Sequence, residues 1–200
     1  PVKGDSSNCS VVGGWFSGPA YAVFVKVDTL FIGDGRYLKI INLSDPSNPV
    51  LLGKIVVPSS NINDIYVAGS FAYVANDREG MRIIDVSDPA SPVEVGYYDI
   101  DSYAEGVFVS GTLAYVAYGL YGVRIIDISD PTSPVEIGYY NTGSYAYDVY
   151  VRDTLVYVAY HSDGLRIINA SNPSSPTEVG HYDTAEYAMD VFVKDSLACL

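Results

Sequence analysis

"GVRIIDISDPTSPVEIGYY", residues 122–140, joins a short apolar run to a second one through a turn built on two prolines. Proline carries no amide donor, so this pair confines the middle of the segment to a connection, and the flanks read as two strands of a hairpin. Nearly the same text recurs as "GMRIIDVSDPASPVEVGYY" at 80–98 and "GLRIINASNPSSPTEVGHY" at 164–182, with a fainter copy, "YLKIINLSDPSNPVLLGKI", at 37–55. The second prolines, Pro49, Pro92, Pro134 and Pro176, are spaced by 43, 42 and 42 residues. A second landmark valine recurs every 42 residues, at Val25, Val67, Val109, Val151 and Val193. Such a period marks a repeat architecture.

Each unit reads as four short strands. The first is of the "DVYV" type at Asp148–Val151, followed by a turn such as "RDT" (152–154) and by "LVYVA" at 155–159. A polar loop, "YHSDG", then leads into the hairpin just described. The units carry no apolar stripe of helical spacing. In the first strand valine and isoleucine alternate with Tyr66, Phe108, Tyr150 and Phe192, so both faces are apolar and both require cover. Without helices, that cover must come from neighbouring copies. Four-stranded antiparallel sheets stacked face to face at this period are the blades of an all-β propeller. A β-solenoid is the rival, but its coils are usually shorter and do not need four antiparallel strands. The expected organisation is one propeller, or a fragment of one, over 1–200. Its copies fall near 19–60, 61–102, 103–144 and 145–187, with partial units at 1–18 and 188–200. A start at Pro1 without an apolar leader suggests a processed or excised piece, and the incomplete last unit suggests that blades continue beyond Leu200.

The text "LRIIDVS-DP-x-SP-VEVG-x-Y…A-x-DVYV…AYVA", present at 80–117 and again at 122–159, resembles the LVIVD-repeat proteins, a β-propeller group. The likeness covers about residues 11–200. It implies a secreted or surface-exposed protein of bacterial or archaeal type and no defined chemistry. The first copy departs most, with Lys39 in the arginine position and Leu51 in the glutamate position.

Composition narrows the partners. Twenty-four acidic against eleven basic residues give a net charge of −13, which repels nucleic acid and anionic membrane surfaces. No apolar run reaches the length of a membrane-spanning helix. Nineteen tyrosines beside so few lysines and arginines suit an extracellular contact protein.

Four sets of side chains invite a role. Arg82, Arg124 and Arg166 face Glu94, Glu136 and Glu178 across the hairpin, which reads as cross-strand pairing. Asp64, Asp148 and Asp190 recur just before the first strand, where they either cap a turn or converge at a channel mouth as calcium ligands. Tyr103, Tyr145 and Tyr187, with Tyr121, His161 and Asp163, sit in two loop sets expected on one face. These loops differ between copies while the strands stay alike, and their aromatic, acidic rim suits a protein or glycan ligand. Cys9 and Cys199 lie near opposite ends, where they either form a disulfide stapling the ring or leave Cys199, in the strand-two place of Tyr157, as a small apolar residue between blades.

No nucleophile elbow, phosphate-cradling loop, Cys-x-x-Cys or zinc-like histidine spacing is present. The sequence therefore points first to a non-catalytic extracellular scaffold for binding, adhesion or assembly, needing no cofactor beyond the calcium option. A self-associating structural subunit and a propeller hydrolase or lyase with acids at the channel mouth are the alternatives. Asn8, Asn42 and Asn169 fit the N-glycosylation pattern, the last two inside the repeated turn.

Overall fold

The structure, a computed structural model, describes residues 20–58 and 61–200. Each repeat copy is one four-stranded antiparallel meander. The first holds β1 (Ala20–Lys26), β2 (Thr29–Asp34), β3 (Tyr37–Asn42) and β4 (Val50–Val56). The second holds β5 (Asp64–Ala68), β6 (Phe71–Ala75), β7 (Met81–Asp85) and β8 (Val93–Tyr98). The third holds β9 (Gly106–Ser110), β10 (Leu113–Ala117), β11 (Val123–Asp127) and β12 (Val135–Tyr140). The fourth holds β13 (Ala146–Arg152), β14 (Leu155–Tyr160), β15 (Gly164–Asn169) and β16 (Thr177–Tyr182). A two-stranded sheet, β17 (Phe192–Lys194) and β18 (Leu197–Cys199), begins a fifth. The first strands of successive sheets lie side by side, β1 by β5, β5 by β9, β9 by β13 and β13 by β17, which is the blade arrangement of a propeller. The described blades form an arc that is not closed into a ring.

The core lies between blades, as two-sided apolar strands require. Blade two gives Tyr73, Ala75, Met81 and Ile83 to one interface, and blade three answers with Val107, Val109, Ala114, Val116 and Ile126. The other interfaces repeat the plan. Three repeated devices fix the stacking. First, Asp85 and Asp127 each accept the amide of the residue two positions on (2.8 and 2.9 Å), as do Asn42 and Asn169 (2.7 and 2.9 Å). Asp88 and Asp130 do the same within the proline turn, at 3.0 Å each. These side chains are the turn's hydrogen-bond acceptors, which is why Asp or Asn recurs there.

Second, the glycine of the outer strand in each of the first three blades receives the next blade's proline turn. A β-carbon on Gly53, Gly96 or Gly138 would stand 2.3, 2.1 or 2.0 Å from the carbonyl oxygen of Pro89, Pro131 or Pro173. Third, the tyrosine ending one outer strand hydrogen-bonds the glutamate of the next. Tyr98 donates to Glu136, and Tyr140 donates to Glu178 at 2.5 Å. Burial first, and then the glutamate, raises both phenols, Tyr140 to about 12.

The arginine pairing lies on the diagonal. A bulge between Ile83 and Ile84 sets Arg82 opposite Tyr97 and Ile84 opposite Glu94, with equivalents in the first, third and fourth sheets. The ion pairs span 3.4, 3.3 and 3.7 Å for Arg82–Glu94, Arg124–Glu136 and Arg166–Glu178. Arg82 and Arg124 also stack on Tyr97 and Tyr139, at 4.7 and 4.5 Å from the ring centres.

Tyr118 is fully buried between blades two and three. Its hydroxyl donates to the Tyr98 carbonyl (2.6 Å) and accepts the Met81 amide (3.0 Å). Tyr118→Phe strands both groups away from water, so unfolding measurements should show a loss of about 1–3 kcal/mol. Tyr160 repeats the donor half of this arrangement, to Tyr140 at 2.9 Å.

Candidate functional site

The inner strands carry a continuous series of rings. Phe24, Tyr66, Phe108, Tyr150 and Phe192 follow one another at centroid separations of 5.1, 4.7, 4.8 and 5.5 Å. At the end of the inner strands where β5, β9 and β13 begin, a recess of about 240 Å³ receives residues from all five blades. One position of the repeat supplies a side chain from every blade: Tyr21, Asn63, Glu105, Tyr147 and Met189. The next position supplies Asp64, Asp148 and Asp190.

The aspartates tie blades together. Asp64 accepts its neighbour's amide, Ile65, at 2.8 Å and, with its other oxygen, the Val107 amide of the next blade at 2.8 Å. Asp148 reaches the Val191 amide of its next blade at 2.9 Å, 43 residues away. The series breaks at Gly106 because a β-carbon there would lie 2.7 Å from the Asp148 carboxylate. The turn-cap reading thus captured half of the role. Among the described residues no three acidic, histidine or cysteine side chains gather to hold a metal ion, and the aspartate oxygens face amides.

Burial drives the electrostatics of the recess. It raises Asp64 to about 6, against the two amides that hold its charge. Burial likewise raises Asp148, to about 8, with the Asp64 charge and a hydrogen bond to Asp190 acting in the same direction. Glu105 is raised by burial too, although the Tyr145 hydroxyl (2.5 Å) stabilises its carboxylate. Asn63 donates to the other Glu105 oxygen at 2.9 Å and to the Ala104 carbonyl at 3.0 Å. The mouth is therefore a polar pocket with aromatic walls in which burial favours the protonated form of Asp64, Asp148 and Glu105.

The loop residues divide into two groups. Tyr145 packs on Tyr147 (4.7 Å between centroids), Tyr147 lies 5.7 Å from His161, and His161 stacks on Tyr187 at 3.8 Å and 15°. These four rings run outward from the recess, ending on exposed Tyr187. Tyr103 belongs to the same loop series, and it is covered by Arg78, whose Nε donates to its hydroxyl at 2.8 Å. Tyr121 and Asp163 stand apart. They share one repeat position over the strand-three arginines, Tyr121 at 5.7 Å from Arg124 and Asp163 at 3.9 Å from Arg166. Asn63, Tyr147, Glu105 and Met189 were not singled out from sequence, although aligning the copies on the landmark valine shows that column to vary, with only Tyr21 and Tyr147 alike. Cys199 is exposed on β18, where no third strand covers it among the described residues, rather than packed between blades. Its suggested partner, Cys9, lies outside the described residues, as do Asn8 and the unit at 1–18.

A sequence profile of the LVIVD repeat matches residues 17–56, 61–100, 101–142 and 143–184. The chain belongs to the LVIVD repeat family. Among solved structures, the LVIVD chain is similar to the computationally designed Ika8 protein, at 8% identity and a TM-score of 0.72, over 92% of this chain and 55% of that one. It is also similar to a protein from Lactobacillus plantarum, at 13% identity and a TM-score of 0.72, over 84% of this chain and 57% of the other. The designed Ika4 protein matches at 10% identity and a TM-score of 0.65, over 78% and 93%. The chain thus spans little more than half the length of the Ika8 and Lactobacillus plantarum proteins. No curated protein sequence matches it. At these identities the likeness concerns the fold alone.

Proposed function

We propose that this LVIVD chain is a non-catalytic extracellular recognition scaffold that takes a protein or glycan ligand at the channel mouth. One observation carries the reading: five copies of one repeat position, Tyr21, Asn63, Glu105, Tyr147 and Met189, face a single recess and carry four different side chains. Positions that serve the blade stay alike, as the outer-strand glycines and turn aspartates do, whereas positions that meet a ligand diverge. The rings from Tyr145 to Tyr187 extend the same surface outward. A net charge of −13 speaks against nucleic acid as the partner.

Glycan and peptide arrays test this directly, run in calcium and in chelator. The expected result is a hit that Asn63→Ala and Tyr147→Ala each weaken at least tenfold while both variants remain folded at the assay temperature. Hits that ignore both substitutions would remove the mouth as the site. Turnover of an array hit that disappears in Asp148→Asn would replace recognition with catalysis.

Self-association is the second reading, favoured by one feature of the first blade. Val23 and Val25 are 63% and 56% exposed, whereas their equivalents in the later blades, from Ile65 and Val67 to Val191 and Val193, are 2–5% exposed. A concentration-dependent mass in light scattering, lost on Val25→Lys, would support it.

A further inference from the structure

Two recesses lie at one repeated place on the outer rim, away from the mouth. One, of about 470 Å³, is walled by Glu94, Gly96 and Tyr97 of blade two and by Thr132, Ser133 and Pro134 in the turn of blade three. The other, of about 580 Å³, is walled by Glu136, Gly138 and Tyr139 of blade three and by Ser174, Ser175 and Pro176 in the turn of blade four. They are successive copies of a single groove. Each exists because the proline turn seats on the outer-strand glycine and leaves the flanking side chains standing around it.

The chemistry of each groove is also the same. Tyr97 and Tyr139 are 59% and 57% exposed, yet each ring is steadied by a buried or nearly buried guanidinium, Arg82 or Arg124, 4.7 or 4.5 Å from its centre. A ring held in this way offers a fixed apolar plane to a ligand. Around it stand hydroxyls of the turn and a glutamate whose charge is already balanced by arginine, at 3.4 Å for Glu94 and 3.3 Å for Glu136. Flat C–H faces edged with hydroxyls are the chemistry of a sugar ring, which would stack on tyrosine and exchange hydrogen bonds with serine, threonine and carboxylate. The position is not aromatic in every blade. Lys54 and His181 take the place of the tyrosine in blades one and four, so the aromatic pair is confined to two adjacent grooves.

We infer that the grooves at Tyr97 and Tyr139 are tandem subsites for an uncharged polysaccharide chain lying along the rim across blades two to four. Tandem placement selects a polymer, because two weak subsites joined by one ligand gain through effective concentration. The groove glutamates and the net charge of −13 disfavour acidic polysaccharides. This site is independent of the mouth.

Electrophoresis of the whole chain through gels containing xylan, hydroxyethylcellulose or mixed-linkage β-glucan, with polygalacturonate as the acidic comparison, tests the inference. Retardation by at least one neutral polymer and none by polygalacturonate is expected. Tyr97→Ala or Tyr139→Ala should each weaken retention about tenfold, and the double variant should abolish it. Tyr97→Phe with Tyr139→Phe should retain it, since the ring plane survives and folding is preserved. In calorimetry a hexasaccharide of the retarding polymer should bind at least tenfold tighter than its trisaccharide, a gap that closes in either single variant. Asn63→Ala at the mouth should change none of this, so failure at one site is separable from failure at the other. Absence of retardation by every neutral polymer, or retention unaffected in the double alanine variant, overturns the inference. Tyrosine-dependent capture of poly-L-proline in place of the glycans overturns it as well, by making the rim a polypeptide site.

Discussion

Alanine at Gly138 is expected to destabilise the chain by about 2–4 kcal/mol, and alanine at Gly180 to leave stability within about 1 kcal/mol of the parent. Both glycines hold the same place in an outer strand, β12 and β16, so local propensity treats them alike. Their surroundings differ. A β-carbon on Gly138 would lie 2.0 Å from the Pro173 carbonyl oxygen, with the Ser174 backbone next at 3.1 Å. Backbone on both sides cannot swing aside as a flexible side chain would, so the turn of blade four must lift, and Tyr140–Glu178 lifts with it. At Gly180 the nearest atom is the Ile167 side chain at 3.8 Å, an ordinary contact. Neither residue has a positive φ, so strain in the backbone itself does not enter. Urea unfolding of the two variants side by side checks the contrast. At roughly 2–4 °C per kcal/mol for a chain of this size, the melting temperatures should separate by about 5–10 °C. Equal effects at the two sites would mean that the proline turn does not bear on the glycine.

That contrast marks the boundary of what the amino-acid text discloses. The blade was readable because its determinants are local: prolines that interrupt ladders, Asp and Asn that build turns, and an alternation with both faces apolar. Stacking followed from the period and the absence of helices. The partner of Gly138 was not readable, because Pro173 lies 35 residues on and only the folded arc brings them together. The same holds for Asp64 and Val107. A carboxylate before a strand looks like a cap, and its second oxygen reaches a neighbouring blade that no local rule identifies. Tyr121 and Asp163 stand apart from the mouth rings for a related reason: each lies over an arginine of its own blade, Tyr121 by a cation–π contact with Arg124 and Asp163 by an ion pair with Arg166. Tyr145, Tyr187 and His161 could be assigned to one face because loop order alone fixes that in a meander.

Stability should fall, not rise, between about pH 4 and pH 8, and Asp148→Asn should remove much of that slope. Asp64 and Asp148 are raised by burial from the ordinary carboxylate value of 3.8 to about 6 and about 8, and Glu105 is raised in the same direction. A raised carboxyl binds its proton more tightly folded than unfolded. Its stabilisation is complete below the unfolded value and is lost as pH climbs through the folded one. For Asp64 alone the loss is about 3 kcal/mol, complete near pH 6, while Asp148 extends the decline toward pH 8. Asp45, Asp85, Asp127, Asp130 and Glu178 are lowered by their own hydrogen bonds, so they act in the opposite sense, and only as pH drops below the ordinary carboxylate range. Asp148 accepts the Val149 amide as well as that of Val191, and asparagine at 148 keeps an oxygen for Val191 while placing an NH2 group where the protonated carboxyl meets Asp190. The variant should match the parent near pH 4.5 and exceed it by about 1–3 kcal/mol near pH 8.5, measured as urea midpoints. Asp64→Asn should behave differently. Asp64 also accepts two amides, Ile65 and Val107, but it makes no hydrogen bond like that of Asp148 to Asp190 that could receive an NH2 group, so the variant should be weaker at every pH. A parent chain that gains stability from pH 4 to pH 8 would mean that these carboxyls are ionised in the fold, and the mouth would then be an anionic site rather than a proton-holding one.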